Sequence, residues 1–248
     1  MSRSLATTLG MVRSLSIYYG MPWRRVRLKR FYAQLITPGD LVFDVGAHVG
    51  GRSRTLASLG ARVVAVEPQP AFADFLERYV SPRLGGFERV AVGHESGEIS
   101  LHISSRHPTV TSMSADFLAK ARTAPGFETV IWDQTVVVPM VTLDALIARY
   151  GLPAFCKIDV EGAEADIIRG LSHPIALIAF EYLPPMLELS LEALDALERR
   201  GSRLYNRVVG ERHKFVHERW LSASELRQIL VALPASAPSG DIYARLSS

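Results

Sequence analysis

Only one cysteine, Cys156, occurs in the 248 residues. No intrachain disulfide can form and no zinc-ligand spacing exists, so neither a disulfide scaffold nor a zinc centre accounts for this chain. A reducing, cytoplasmic setting is the expectation. Long apolar runs are also missing. None approaches the roughly 18 residues that a membrane-spanning helix needs, and no membrane span is expected. The stretch MSRSLATTLGMVRSLSIYYGM is interrupted by Arg3 and Arg13 and lacks the continuous apolar centre of a signal peptide. Excess charge is small: 28 Lys and Arg against 25 Asp and Glu leave +3, which by itself predicts no nucleic-acid partner. The basic run RRVRLKR at 24–30 invites a nucleic-acid or membrane-surface reading and is taken as a solvated helix face. Its neighbours Trp23 and Phe31 could dock on the domain, form a dimer contact or cover a pocket; a homo-oligomer stays open. Repeats and low-complexity tracts are absent.

What is present suits one globular domain with a sizeable core, since 48% of the residues are hydrophobic and 21% charged. Residues 1–37 read as an N-terminal helical extension, broken by TPGD at 37–40; residues 38–248 read as the domain proper. Strand-like runs then alternate with helical patterns. LVFDVGA (41–47) precedes a helix near 50–59, and RVVAVEP (62–68) precedes one near 70–80. ERVAVG (88–93) and EISLHIS (98–104) flank HESG as an expected hairpin. A helix is predicted at 114–122, and TVVVPMV (135–141) leads into another that Thr142 would cap. AFCKIDV (154–160) and IALIAFEY (175–182) are each followed by a helix. RLYNRVV, HKFVHERW and DIYARLS are candidate strands in the tail, with SASELRQIL helical between the last two. Near-continuous apolar strands alternating with helices indicate an α/β fold, doubly wound, with a mostly parallel sheet and helices on both faces.

In such sheets the ligand sits beyond the C-terminal strand ends, so the loop after the first strand is informative. A dinucleotide loop needs G-x-G-x-x-G. Here Gly46-Ala47-His48-Val49-Gly50-Gly51 puts His48 at the second glycine position, where its ring would crowd a pyrophosphate. Counted from Asp44 the spacing is D-x-G-x-x-x-G, which suits S-adenosylmethionine (SAM). Glu67, followed by Pro68, ends the second strand 21 positions after Gly46. Its carboxylate can accept hydrogen bonds from both ribose hydroxyls and disfavours a 2′-phosphate. Ala91 and Val92 can offer backbone and apolar surface to an adenine.

FDVGAHVG, VVAVEPQP, VAVGHESGEISL, VTLDALI and CKIDVEGAE occur in the order found in FkbM-type SAM-dependent methyltransferases. The chain resembles that family over most of residues 38–182. The resemblance implies a class I, Rossmann-like methyltransferase fold and methylation of a hydroxyl on a sugar, glycan or natural product. His48 stands where the family usually has Asn. The implied cofactor contacts are Asp44, Gly46, Ala47, His48, Gly50, Glu67, Pro68, Ala91, Val92 and Asp159. An NAD-linked oxidoreductase and a non-catalytic SAM-binding module are the alternatives.

Methyl transfer to a hydroxyl requires alignment of the acceptor, for which positioning can supply roughly 7–11 kcal/mol, and removal of a proton, for which a base adds roughly 10²–10⁴-fold. Asp159 and Glu181, at the ends of two apolar strands, are the candidate carboxylates, with Asp159 following the family motif. Glu161 equally suits a helix start, where the dipole favours acids. Lys157 is unusual in a central strand. It either forms an ion pair, with Asp144 or Glu164 as partner, or stabilises a forming alkoxide or acts as a base. Neighbouring carboxylates offer Mg²⁺ a place, but a complete metal signature is missing and no metal ligand is assigned. His107, in SSRHPTVTS, is a candidate for a loop over the acceptor.

Overall fold

The computed structural model describes residues 22–247; the part of the expected extension before residue 22 lies outside the described residues. In chain order the first elements are α1 (Pro22–Tyr32), β1 (Leu41–Val45), α2 (Gly51–Ala57), β2 (Arg62–Val66) and α3 (Pro70–Tyr79). Next come β3 (Gly86–Glu88), β4 (Ala91–Val92), β5 (Gly97–Ile103), α4 (Ala115–Ala121), β6 (Gln134–Val141) and α5 (Leu143–Tyr150). The chain continues with β7 (Phe155–Ile158), α6 (Glu164–Arg169), β8 (Leu177–Tyr182), α7 (Leu187–Glu198), β9 (Arg203–Val209), α8 (Ala223–Val231) and β10 (Gly240–Leu246).

Strand β1 is buried at all five positions, as a run of Leu, Val and Phe with one polar residue requires. Its side chains alternate between two cores: Leu41, Phe43 and Val45 enter one, Val42 the other. The first core is covered by α5, α6, α7 and α8 through residues such as Leu146, Ile168, Leu194 and Leu226. Phe31 and Tyr32 of α1 and Leu56 of α2 cover the second. Each large aliphatic or aromatic side chain so buried stabilises the fold by roughly 1.5–3 kcal/mol before entropy is counted.

The main sheet has the order β3-β2-β1-β7-β8-β10-β9. β3, β2, β1, β7 and β8 pair in parallel, and β10 enters antiparallel between β8 and β9. The fold is therefore α/β and doubly wound, with a mostly parallel sheet. Chain order runs outward from β1 to β3 and then restarts at β7 on the other side of β1. Strand order reverses between β1 and β7, which is where a cleft opens in such sheets.

Three local expectations are corrected. The 88–104 hairpin does not form: β6 lies between β4 and β5 in a second sheet of order β4-β6-β5. The run 88–93 is itself split, with Glu88 ending β3 in the main sheet and Ala91 opening β4 in the small one. HKFVHERW is not a strand. It runs beside the edge strand β9, where the Asn206 side-chain amide donates to His217 O at 2.8 Å and its oxygen accepts from His217 N at 3.2 Å. These side-chain bonds replace the regular ladder that alternation had suggested. The helix caps follow the sequence: Thr142 Oγ1 accepts from Ala145 N at 3.1 Å, and Ser222 with Glu225 forms a capping box at α8.

Candidate active site

A cleft of about 1110 Å³, partly open to solvent, lies beyond the C-terminal ends of β1, β2, β7 and β8. Its floor is the turn after β1. Gly46 has φ +80°, and a Cβ there would stand 1.9 Å from the carbonyl oxygen of Asp159. Only glycine lets the β1 and β7 ends approach this closely. His48 also adopts a left-handed φ of +52°. Its ring turns against Phe72, with centroids 3.9 Å apart, and burial pushes its pKa down to about 4, so it is neutral. Gly50, at φ +75°, starts α2 and packs against Leu76 and Val80. It stands behind the cleft wall and does not line it.

Glu67 clamps this turn. Its Oε2 accepts from His48 N at 2.7 Å and its Oε1 from Gln69 N at 2.8 Å. Burial outweighs these two bonds and raises its pKa to about 7. Each carboxylate oxygen keeps a second lone-pair direction for a ligand hydroxyl. Asp44 is 1% exposed; Ser53 Oγ donates to its Oδ2, while its Oδ1 is buried without a hydrogen-bond partner among the described residues. Burial raises the Asp44 pKa as well. An unsatisfied buried carboxylate oxygen costs about 1–3 kcal/mol, a penalty that a cationic donor in the cleft would relieve. Pro68, Ala47, Ala91, Val92, Leu101 and Met113 supply apolar wall.

The other side of the cleft is built from carboxylates. β7 ends at Ile158, and Asp159 N continues its ladder to Val45 O at 3.0 Å. Glu161 then takes a left-handed φ of +56°, so the strand's alternation of side chains stops before Glu161. Side-chain oxygens of Asp159, Glu161 and Glu181 lie within 4.8 Å of one another, a spacing that a metal ion could bridge. Asp159 is ionised: burial opposes its charge, but Lys157 and Arg52 prevail and hold its pKa at about 2. Glu161 is raised well above the usual carboxylate range by burial and by Asp159 and Glu164; Glu181 is raised by burial and by Glu161 and Asp159. The segment between β5 and β6 reaches this region through Thr111 and Ser112. Ser112 Oγ donates to Glu161 O at 2.7 Å, and Thr111 Oγ1 meets Gln69 Oε1 at 3.2 Å.

Lys157 is fully buried and does not line the cleft. Its ion-pair partners are neither Asp144 nor Glu164. Nζ sits 3.0 Å from Asp241 Oδ1 and 3.6 Å from Asp159 Oδ2, and donates to Ile158 O at 3.0 Å. Burial works against its charge, yet the two carboxylates raise its pKa above the ordinary lysine value. Asp144 instead accepts from Ser172 N and Oγ, and Glu164 from Val160 N. Of the residues singled out in the sequence, Asp44, Gly46, Ala47, His48, Glu67, Pro68, Ala91, Val92, Asp159 and Glu181 do meet around one cleft. Arg52, Asp241 and Glu211 were missed. Arg52 follows the glycine loop directly and could have been suspected; Asp241 and Glu211 arrive from the tail and carried no signal. His107 does not line the cleft, although Pro108, Thr109 and Thr111 after it do.

Residues 44–233 match the family model of the methyltransferase FkbM domain. Among curated proteins none matches the chain. Among solved structures, the chain is similar to a precorrin-6y C5,15-methyltransferase from Geobacter metallireducens, with 13% identity, 90% of this chain and 87% of that one covered, and a TM-score of 0.45. A TehB-like SAM-dependent methyltransferase from Corynebacterium glutamicum shows 11% identity over 95% of this chain and 100% of that one, TM-score 0.45. A magnesium protoporphyrin IX methyltransferase from Synechocystis shows 14% identity over the whole of both chains, again with TM-score 0.45.

Proposed function

The chain belongs to the FkbM methyltransferase family, and from that premise we propose that its cleft binds SAM and that the protein methylates a hydroxyl of a sugar, glycan or natural-product small molecule. Residues 38–248 form the catalytic domain in this reading, with 1–37 as its extension. The charge of the cleft wall carries the cofactor assignment. Asp44, Glu67, Asp159, Glu161, Glu181 and Glu211 line it, against one cation among the described lining residues, Arg52, which Asp159 engages. Such a wall suits a ligand bearing sulfonium and ammonium charges, which draws its buried carboxyls back toward ionisation, and disfavours the pyrophosphate of a dinucleotide, which would drive them the other way. The unpartnered Asp44 Oδ1 suits an ammonium donor, the Glu67 oxygens suit a ribose diol, and Ala91, Val92 and Leu101 suit an adenine face.

SAM supplies a methyl group already activated on a positive sulfur. What remains for the protein is to hold the acceptor in line and accept its proton. Glu181 is the proton acceptor in this account: it lines the cleft, and burial, with Glu161 and the ionised Asp159 beside it, makes it more basic than an ordinary carboxylate. A nearby positive ligand lowers that raised value again and frees the carboxylate to work. Asp159 stays charged and orients Arg52 beside the glycine loop. Lys157 acts as a positioning residue, since it fixes Asp159 and Asp241 from beneath the wall without reaching it. The three-carboxylate cluster could equally hold a divalent cation, and transfer assays with and without EDTA separate the two uses.

The test is transfer of labelled methyl from SAM to a panel of hydroxylated sugars and glycans. Glu181→Gln is expected to lower turnover by roughly 10²–10⁴-fold while the protein still binds S-adenosylhomocysteine. Full turnover in that variant removes Glu181 from the role. Transfer to amines alone removes the hydroxyl assignment.

A further inference from the structure

Helix α1 carries Arg24, Arg25, Arg27, Lys29 and Arg30 within eleven residues and has no acidic residue. Among the described residues none of these five makes an ion pair. Arg25, Arg27, Lys29 and Arg30 are exposed. The inner stripe of the helix, Leu28, Phe31 and Tyr32, is used to cover the sheet. Trp23 and Val26 are left outside that stripe, 60% and 50% exposed, one turn apart and adjacent to the cations. A tryptophan has a large apolar surface, and on α1 it stands in water beside basic side chains.

The loop after β9 packs beside α1. Phe215 packs edge-on against Phe31, with centroids 5.1 Å apart, and thereby ties that loop to α1. Beside it Arg212 and Lys214 are exposed, as is Val216 at 44%. A groove lined by Phe31, Gln34, Arg212, Lys214, Val216 and the acidic Glu218 runs between helix and loop. Cations and isolated apolar side chains are thus interleaved along α1, and the loop packed beside it adds Arg212 and Lys214 and borders the cleft, because Glu211 lines the cleft while Arg212 lines the groove.

We propose that this face, α1 with the 212–216 loop, docks the protein peripherally on an anionic phospholipid bilayer. Charge complementarity supplies the attraction: anionic headgroups draw in clustered Lys and Arg side chains near the membrane. The interfacial zone accepts Trp and Val in the same plane, with the indole at the headgroup level and the cations at the phosphates. A nucleic-acid backbone would satisfy the cations but leave Trp23 and Val26 in water. No spanning segment is involved, and no described helix is long and apolar enough to cross a membrane.

Sedimentation of the full chain with phosphatidylcholine vesicles containing 30% phosphatidylserine tests this. The protein is expected to sediment with these vesicles at low ionic strength, not with pure phosphatidylcholine, and to be released as salt screens the attraction. The triple variant Arg25→Gln, Arg27→Gln, Arg30→Gln removes three exposed charges and should lower partitioning by about 100-fold, with an unchanged circular dichroism spectrum and melting temperature. Trp23→Ala should lower it further. Failure to sediment with the anionic vesicles overturns the proposal, as does equal partitioning to neutral ones or full binding by the triple variant. So does capture by an RNA or DNA duplex while anionic vesicles are ignored. None of these outcomes depends on the methyltransferase reading.

Discussion

Glu67 and Lys157 sit near the ends of β2 and β7, with β1 between them, and burial acts on them differently. Glu67 has only backbone donors, so burial raises its pKa to about 7. A carboxyl whose folded value exceeds its unfolded value near 4.5 binds more protons when folded. Its contribution is fully present at low pH and is lost as pH rises from about 4.5 to 7. Glu67→Gln is therefore expected to reduce the fall in apo-protein melting temperature between pH 5 and pH 8. At pH 8 the same change should weaken S-adenosylhomocysteine binding by about 1–3 kcal/mol, since a charged acceptor for hydroxyls is lost; unchanged calorimetric affinity would take Glu67 out of the site. Lys157 has full ionic partners instead. Lys157→Met leaves the buried side of Asp241 without its 3.0 Å partner and should cost about 3–5 kcal/mol in chemical denaturation. Adding Asp241→Asn should recover part of that loss, and no recovery would mean that the pair is not the cause. Glu67 was legible in the sequence because it ends an apolar strand at a readable distance from Gly46. Lys157 was legible as an anomaly only, because its partner lies 84 positions downstream on a strand whose place in the sheet no local pattern reveals.

At the scale of elements, the glycine turn joins β1 to β7 by backbone proximity. Gly46→Ala adds a Cβ that would fall 1.9 Å from Asp159 O, at a φ of +80°. It should destabilise the protein by more than about 1 kcal/mol and separate the Glu67 side of the cleft from the carboxylate side. Loss of S-adenosylhomocysteine binding in a still-folded variant would show this, whereas wild-type affinity and stability would mean that the two ends tolerate separation. Strands buried on both faces were readable, because β1, β2, β7 and β8 keep near-continuous apolar runs with a single charged residue in each. Pairing was not readable where it depends on distant residues. The run 88–93 looks continuous but serves two sheets, and β6 takes the place that a local hairpin would have given to β4. HKFVHERW alternates like a strand, yet the Asn206 side chain occupies the hydrogen-bonding groups of its middle.

The whole molecule gathers side chains from Asp44 to Glu211 into one acidic cleft at the point where strand order reverses. The fold class and many of the residues that line the cleft could be read from the chain. Its acidity could not, because it results from contributions by β1, β2, β7, β8 and the turn after β9. That acidity favours a ligand that carries an ammonium group and no phosphate over a dinucleotide. Calorimetric titration of the full chain with S-adenosylhomocysteine, and in parallel with NAD⁺, tests this most directly. One site for S-adenosylhomocysteine, weakened by Glu67→Ala, with no heat from NAD⁺, is the predicted result. Binding of NAD⁺ without S-adenosylhomocysteine would contradict the account.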